Sequence, residues 1–247
     1  MRNQIRAELV KLRTTRMFYG SALTALAFIP VSLALAIQTA GQPGGSPALN
    51  TSRGIRHVMS AASAGTTVVL IIGILVMAGE FRHNTATSTF LVNPDRKRVV
   101  GAKLAASTLV GAALAAVASI LTVAIATPWL ATKNVHVTVL SADVGLVLLG
   151  AMLATALNAM VGVGLGSLIR NQTAAVAVAL VWGLIVEGIL VNFVPEIGRW
   201  LPGGAVTALT GYSTPNHGLL PMWGAALLLT GYGLALAGAG IRFIAHR

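Results

Sequence analysis

Few side chains in this sequence are placed to do chemistry, and their spacing excludes most kinds of it. The five histidines, His57, His83, His136, His217 and His246, are scattered without the close repeats that hold a metal ion. No cysteine is present to form a disulfide, a thiolate nucleophile or a sulfur-ligated zinc or iron–sulfur site. None of the four lysines, Lys11, Lys97, Lys103 and Lys133, follows a glycine, so the Gly-Lys-Ser/Thr of a phosphate-binding loop is missing. No paired carboxylates and no nucleophile with its base converge. The chain is therefore expected to catalyse nothing itself and to bind no metal or cofactor of its own. One acidic residue stands apart: Glu187, which sits inside a long apolar run.

The elements that must position such a residue are membrane helices. The chain is 55% hydrophobic and 9% charged, where a soluble domain carries about 25% charged residues. A hydrocarbon core about 30 Å thick is crossed by roughly 20 apolar residues in a helix, each rising about 1.5 Å. Six segments meet that length, at 18–37, 61–79, 104–130, 144–168, 173–194 and 223–243. They predict an all-α integral membrane protein, a single transmembrane domain over residues 1–247. Glu187 then lies roughly 20 Å from the start of the fifth span, toward its outer side. A charge at such depth costs about 2.5 to 3.5 kcal/mol, so Glu187 must face a cavity, find a partner or be protonated. It is the candidate for a substrate path, with Trp182 and Asn158. The alternative is a structural hydrogen bond to a neighbouring helix, through Asn158 or a backbone carbonyl.

Basic residues orient the spans, because cytoplasmic loops are enriched in Lys and Arg. Of the 17 basic residues, 13 fall on the side of the N-terminus, the second loop, the fourth loop and the tail, and four on the other. Both termini are expected in the cytoplasm. Trp129, Trp200 and Trp223 fall at predicted outer ends, where indoles prefer the interface. The first apolar run is too long for the h-region of a signal peptide, despite Ala34-Leu35-Ala36. Gly162 with Gly166, and Gly231 with Ala235 and Ala239, have the small-residue spacing that lets membrane helices approach, and Pro30 is a candidate kink in the first span. The net charge of +11 sits beside apolar runs, which suits anionic lipid and not nucleic acid. Richness in Ala, Gly and Val points to a bacterial plasma membrane.

Two cytoplasmic elements carry information. In residues 1–16, Ile5, Leu9 and Leu12 share one helical face while Arg2, Arg6, Lys11 and Arg13 occupy the rest, which predicts an interfacial elbow helix or a basic flank. The loop 80–103 is longer than adjacent helices need. Asn84 or Thr85 can cap a short helix within it, Ala86 and Phe90 fall on one side, and Pro94 ends it. Phe90 and Leu91, backed by Arg96, Lys97 and Arg98, would form a docking knob for a partner, or else a loop that dips into lipid. On the outer side, 195–222 holds Pro195, Pro202, Pro215 and Pro221, which predicts short re-entrant or surface pieces.

This loop resembles the one after the second span in the type-2 permease family of ABC transporters. Glu80, Thr85, Thr89, Pro94, Arg96 and Lys103 fill the places of its acidic residue, Thr-rich segment, proline followed by a basic residue, and lysine entering the third span. The six-span topology, the amphipathic N-terminal helix, and a fifth span with Trp182, Glu187 and a following Gly198-Arg199-Trp200-Leu201-Pro202 also resemble bacterial members. The resemblance implies that Glu80, Arg82, Thr85, Thr89, Phe90, Leu91, Pro94 and Arg96 form a coupling helix seated on a cytoplasmic ABC ATPase, which carries the ATP and Mg. It further implies that two copies, or this chain and a paralogous permease, enclose an export path. A stand-alone secondary transporter and a non-transporting scaffold or immunity protein are the alternatives.

Overall fold

Helices in this chain start where a short polar side chain meets an apolar run. The computed structural model describes residues 2–82, 95–138, 141–169, 171–211 and 218–245. Its elements are α1 (Arg2–Thr14), α2 (Arg16–Gln38), α3 (Ser52–Met59), a 3₁₀ turn (Ser60–Ser63), α4 (Thr66–Arg82), α5 (Arg96–Thr132), α6 (Ala142–Leu168) and α7 (Gln172–Leu180). A π-helical turn (Val181–Val186), α8 (Glu187–Phe193), α9 (Pro195–Gly198), α10 (Pro202–Leu209) and α11 (Met222–Ala245) follow. Thr51, Asp95, Ser141 and Asn171 are the N-caps of α3, α5, α6 and α7, their side-chain oxygens accepting from the N–H groups of Gly54, Arg98, Val144 and Ala174. Each satisfies a donor that the first helical turn leaves unpaired. Pro195 and Pro202 open α9 and α10, where a missing N–H costs nothing.

Six helical stretches are long and apolar enough to cross a membrane: Arg16–Gln38, Ser52–Arg82, Lys97–Thr132, Ala142–Leu168, Gln172–Val191 and Met222–Phe243. The chain is thus an all-α multi-pass membrane protein. The second stretch departs most from the expected boundaries. It begins with α3, so Arg53 and Arg56 ride on a helix that the sequence placed in a loop; Arg56 pairs with Asp143 at the start of α6. The expected loop 80–103 is also shorter, since Glu80 and Arg82 end α4 and residues 96–103 are the first two turns of α5. At 37 residues, α5 is about 55 Å long and outreaches a 30 Å core. α2 runs unbroken through Pro30.

The core is built on α6, against which α4, α5 and α11 all pack. In its apolar stretch 61% of residues are buried, against 11% in the fifth span. Packing of this kind in lipid relies on close backbone approach. A Cβ on Gly162 would overlap the carbonyl of Leu70 on α4, and one on Gly73 would overlap that of Ala159 on α6. The two glycines thus face each other's helix. A buried hydrogen bond of 2.9 Å between the hydroxyls of Thr66 and Thr155 joins the same pair. Gly162→Val is expected to lower the melting temperature in detergent by the equivalent of about 1 to 3 kcal/mol, the ordinary cost of overpacking; an unchanged melt would show that the α4–α6 contact is loose.

The far end, where α5 stops and α11 starts, carries Trp129, Trp200 and Trp223. There residues 195–211 of the proline-rich segment fold as α9 and α10, and α10 buries Gly204, Ala205, Ala208 and Leu209 against α6 and α11; Pro215 lies outside the described residues. Tyr232 on α11 donates a 3.1 Å hydrogen bond to the carbonyl of Trp200. Residues 202–209 are therefore packed onto the bundle and not merely strung between two spans.

Candidate functional site

Two constellations gather the polar side chains that apolar helices would otherwise exclude. The first lies where α1 meets the ends of α4 and α5. Ile5, Leu9 and Leu12 are half-buried on the face α1 turns to the bundle, and Glu8 lies among them, itself buried. A carboxylate on that face needs a cation, and Lys103 supplies it from the second turn of α5. Lys103 Nζ donates to Glu8 Oε2 and to Glu80 Oε1, both at 2.8 Å. Lys11 Nζ donates to the same two acids at 3.1 and 3.4 Å. The Lys103 side chain is 1% exposed, those of Glu8 and Glu80 10% and 11%, and that of Lys11 55%. The quartet is neutral as a whole, the form in which buried charge is tolerated.

These contacts set the protonation of α1. Burial pushes the Glu8 carboxyl upward, but the attraction and hydrogen bonds of Lys103 and Lys11 outweigh it, and its pKa falls below the ordinary 4.5. Burial pulls Lys11 down, while Glu8 and Glu80 more than compensate and raise it above the ordinary 10.5. A lowered acid contributes stability that is present above its unfolded pKa and lost as pH falls toward the folded one; a raised base contributes stability lost as pH climbs past its folded value. Attachment of α1 should therefore be strongest between about pH 5 and 10 and weaken on both sides. Amide exchange of α1 against pH checks this, and flat protection below pH 4.5 would contradict it.

Glu80 thus turns its carboxylate into the quartet near the end of α4, and Arg82 ends that helix. Thr85, Thr89, Phe90, Leu91 and Pro94, the rest of the expected coupling helix, lie outside the described residues, as does the side chain of Arg96. The elbow helix is also more than an interfacial flank, since its apolar face rests on protein. The sequence carried a signal for this: Ile5, Glu8, Leu9 and Leu12 follow the 3–4 helical spacing, and an acid in the middle of an apolar face demands a partner. Lys103, noted only for its place at the head of the third span, is that partner.

The second constellation surrounds Glu187, which is 6% exposed. Five residues separate it from Trp182, a spacing that an ordinary α-helix places on different sides. The π-helical turn at Val181–Val186 has wider i→i+5 bonding and aligns them. Trp182 Nε1 donates to Glu187 Oε1 at 3.2 Å, and Gly203 N donates to Oε2 at 2.9 Å. Gly203 follows Pro202 in the first turn of α10, so the carboxylate caps the positive end of that helix. A Cβ on Gly203 would collide with Glu187 Oε2, so a larger residue there would push the carboxylate aside. Asn158 is buried in α6 and donates to the carbonyl of Ala154 at 3.0 Å; the structure does not join it to Glu187, nor is a backbone carbonyl the partner. The backbone N–H of Gly203 is a partner the sequence reading missed.

This geometry favours Glu187 as a clamp between the fifth span and α10. Glu187→Gln can keep one acceptor but must turn an amide N–H₂ toward a donor. It is expected to lower stability by about 1 to 3 kcal/mol, the cost of an unsatisfied buried group. Melting in detergent reads the change, and a wild-type melt would contradict the clamp.

A family model described as ABC-2 family transporter protein matches residues 4–186. The match takes in α1, the first four spans and most of the fifth. No curated protein matches the chain.

Proposed function

The chain belongs to the ABC-2 transporter family, and on that premise we propose that it is the membrane half of an ATP-driven exporter. The observation that carries the reading is the family match over 4–186, which makes the chain a membrane permease component of an ABC transporter. In the proposed complex a separate cytoplasmic ATPase binds ATP and Mg, and this chain catalyses nothing itself. Residues 83–94 join two stiff helices whose bases are pinned to α1 by Lys103, Glu8 and Glu80. A push delivered through residues 83–94 would therefore be shared by α1, α4 and α5. Two copies would enclose the path. On this reading Val178, Trp182, Leu184, Ile185 and Ile189, which face outward on the fifth span, would be covered by the second copy or by lipid.

A chain without cysteine allows a clean test. Phe90→Cys, treated in cells with a thiol-to-amine cross-linker, should capture one soluble ATPase, while His136→Cys should not. Membrane-impermeant maleimide should label His136→Cys from outside and leave Arg6→Cys unlabelled in intact cells. Labelling in the reverse pattern would overturn the orientation, and capture of no ATPase at position 90 would overturn the coupling assignment.

A further inference from the structure

Beside the ion quartet lies a cavity of about 460 Å³, within the range of roughly 300 to 1,000 Å³ typical of small-molecule sites. Its walls come from the α1–α2 elbow (Leu12, Met17, Phe18, Ser21), one face of α4, and Gln172 at the start of α7. The α4 wall is ordered. Ile72, Leu75, Val76, Gly79 and Glu80 follow one helical face over about 12 Å, aliphatic toward the middle of the span and charged at its end. Glu8, Lys11 and Lys103 complete the charged end.

That polarity is the polarity of a bilayer amphiphile: charged group at the level where spans begin and end, hydrocarbon inward. The cavity is too small for a whole lipid and suits a headgroup with the first part of a chain, the remainder lying along the exposed apolar surface of α2. Within the charged end, one group has capacity to spare. Lys103 is buried with two short bonds to carboxylates, whereas Lys11 is half exposed, holds its acids at 3.1 and 3.4 Å, and has a third N–H to donate. Its ammonium can take an oxygen anion without dismantling the quartet, and Ser21 and Gln172 add a hydroxyl and a carboxamide to the wall.

We propose that this cavity holds a glycerophospholipid of the surrounding bilayer, with the phosphate on Lys11 and one chain against Ile72, Leu75 and Val76. The site belongs to this chain alone and does not depend on the ATPase. A lipid there would fill the space between α1 and α4 that no side chain among the described residues fills, and would complete the packing that keeps the elbow helix on the bundle.

Gly79 supplies the test, because it lines the cavity and a Cβ added there meets nothing within 4 Å; a larger side chain would take up space within the cavity. The protein is purified in mild detergent, exchanged into nanodiscs of phosphatidylethanolamine and phosphatidylglycerol, re-extracted, washed, and its retained lipid measured by native mass spectrometry. Wild type is expected to keep about one phospholipid per chain. Gly79→Leu should lose most of it while still inserting and eluting as a folded protein, and Lys11→Gln should reduce retention several-fold. Equal retention by wild type and Gly79→Leu, release of all lipid by the wild type, or a retained molecule without phosphate would each overturn the proposal. Should Gly79→Leu fail to fold, Leu75→Trp narrows the same wall and is read the same way.

Discussion

Lys103→Met is expected to release α1 from the bundle and to cost about 3 to 5 kcal/mol, the usual price of leaving buried charge unpaired. The substitution keeps most of the side-chain volume, so the loss is electrostatic. Two carboxylates, Glu8 and Glu80, would face the place where an ammonium donated to both at 2.8 Å. Lys11 cannot replace it, because it is held farther off and more than half exposed. The double variant Glu8→Leu/Lys103→Met should recover much of the loss, since it leaves Glu80 with Lys11 and removes the orphaned acid; the two effects should be strongly non-additive. Melting in detergent and amide exchange of α1 report both. Simple additivity, or a Lys103→Met protein as stable as wild type, would mean that the quartet does not hold the elbow.

Phe90→Asp/Leu91→Asp is expected to abolish transport and weaken ATPase binding by at least about 2 kcal/mol, close to 30-fold in Kd, while insertion and folding persist. A short helix seated in a groove draws its affinity from a few buried apolar side chains, and two carboxylates would have to be desolvated there instead. The two predictions separate two roles at one end of the molecule. Lys103→Met should disturb folding first, and the loop variant should spare folding and lose the partner. Normal recovery of the ATPase with the loop variant would refute the coupling assignment.

Much of the architecture was legible because lipid imposes a simple rule: a span must be long and apolar, and six stretches are. The limits of the reading have physical causes. The apolar run placed the start of the second span at residue 61, after Arg53 and Arg56, yet a helix there is set by Thr51 as a cap, and Arg56 is accommodated by Asp143, a partner 87 residues away. Glu8 went unremarked on the apolar face of α1, and pairing it with Lys103 and Glu80 needs the tertiary arrangement of three helices. Glu187 was correctly marked as requiring an answer. The answer, an indole five residues back and a backbone N–H on α10, depends on a π-helical turn that no apolar periodicity reveals. Hydrophobic pattern reports which residues avoid water; it does not say which polar groups meet once water is gone.

The central claim is that this chain is the permease half of a two-component transporter. It is tested most directly by affinity purification of the tagged protein in mild detergent from its native host, with co-purifying proteins weighed by mass spectrometry. The account predicts one soluble ATPase of the transporter type at one copy per chain, present with wild type and absent with Phe90→Asp/Leu91→Asp. Recovery of the intact, folded chain without an ATPase under several gentle conditions would contradict it, and would favour a stand-alone transporter or a membrane scaffold.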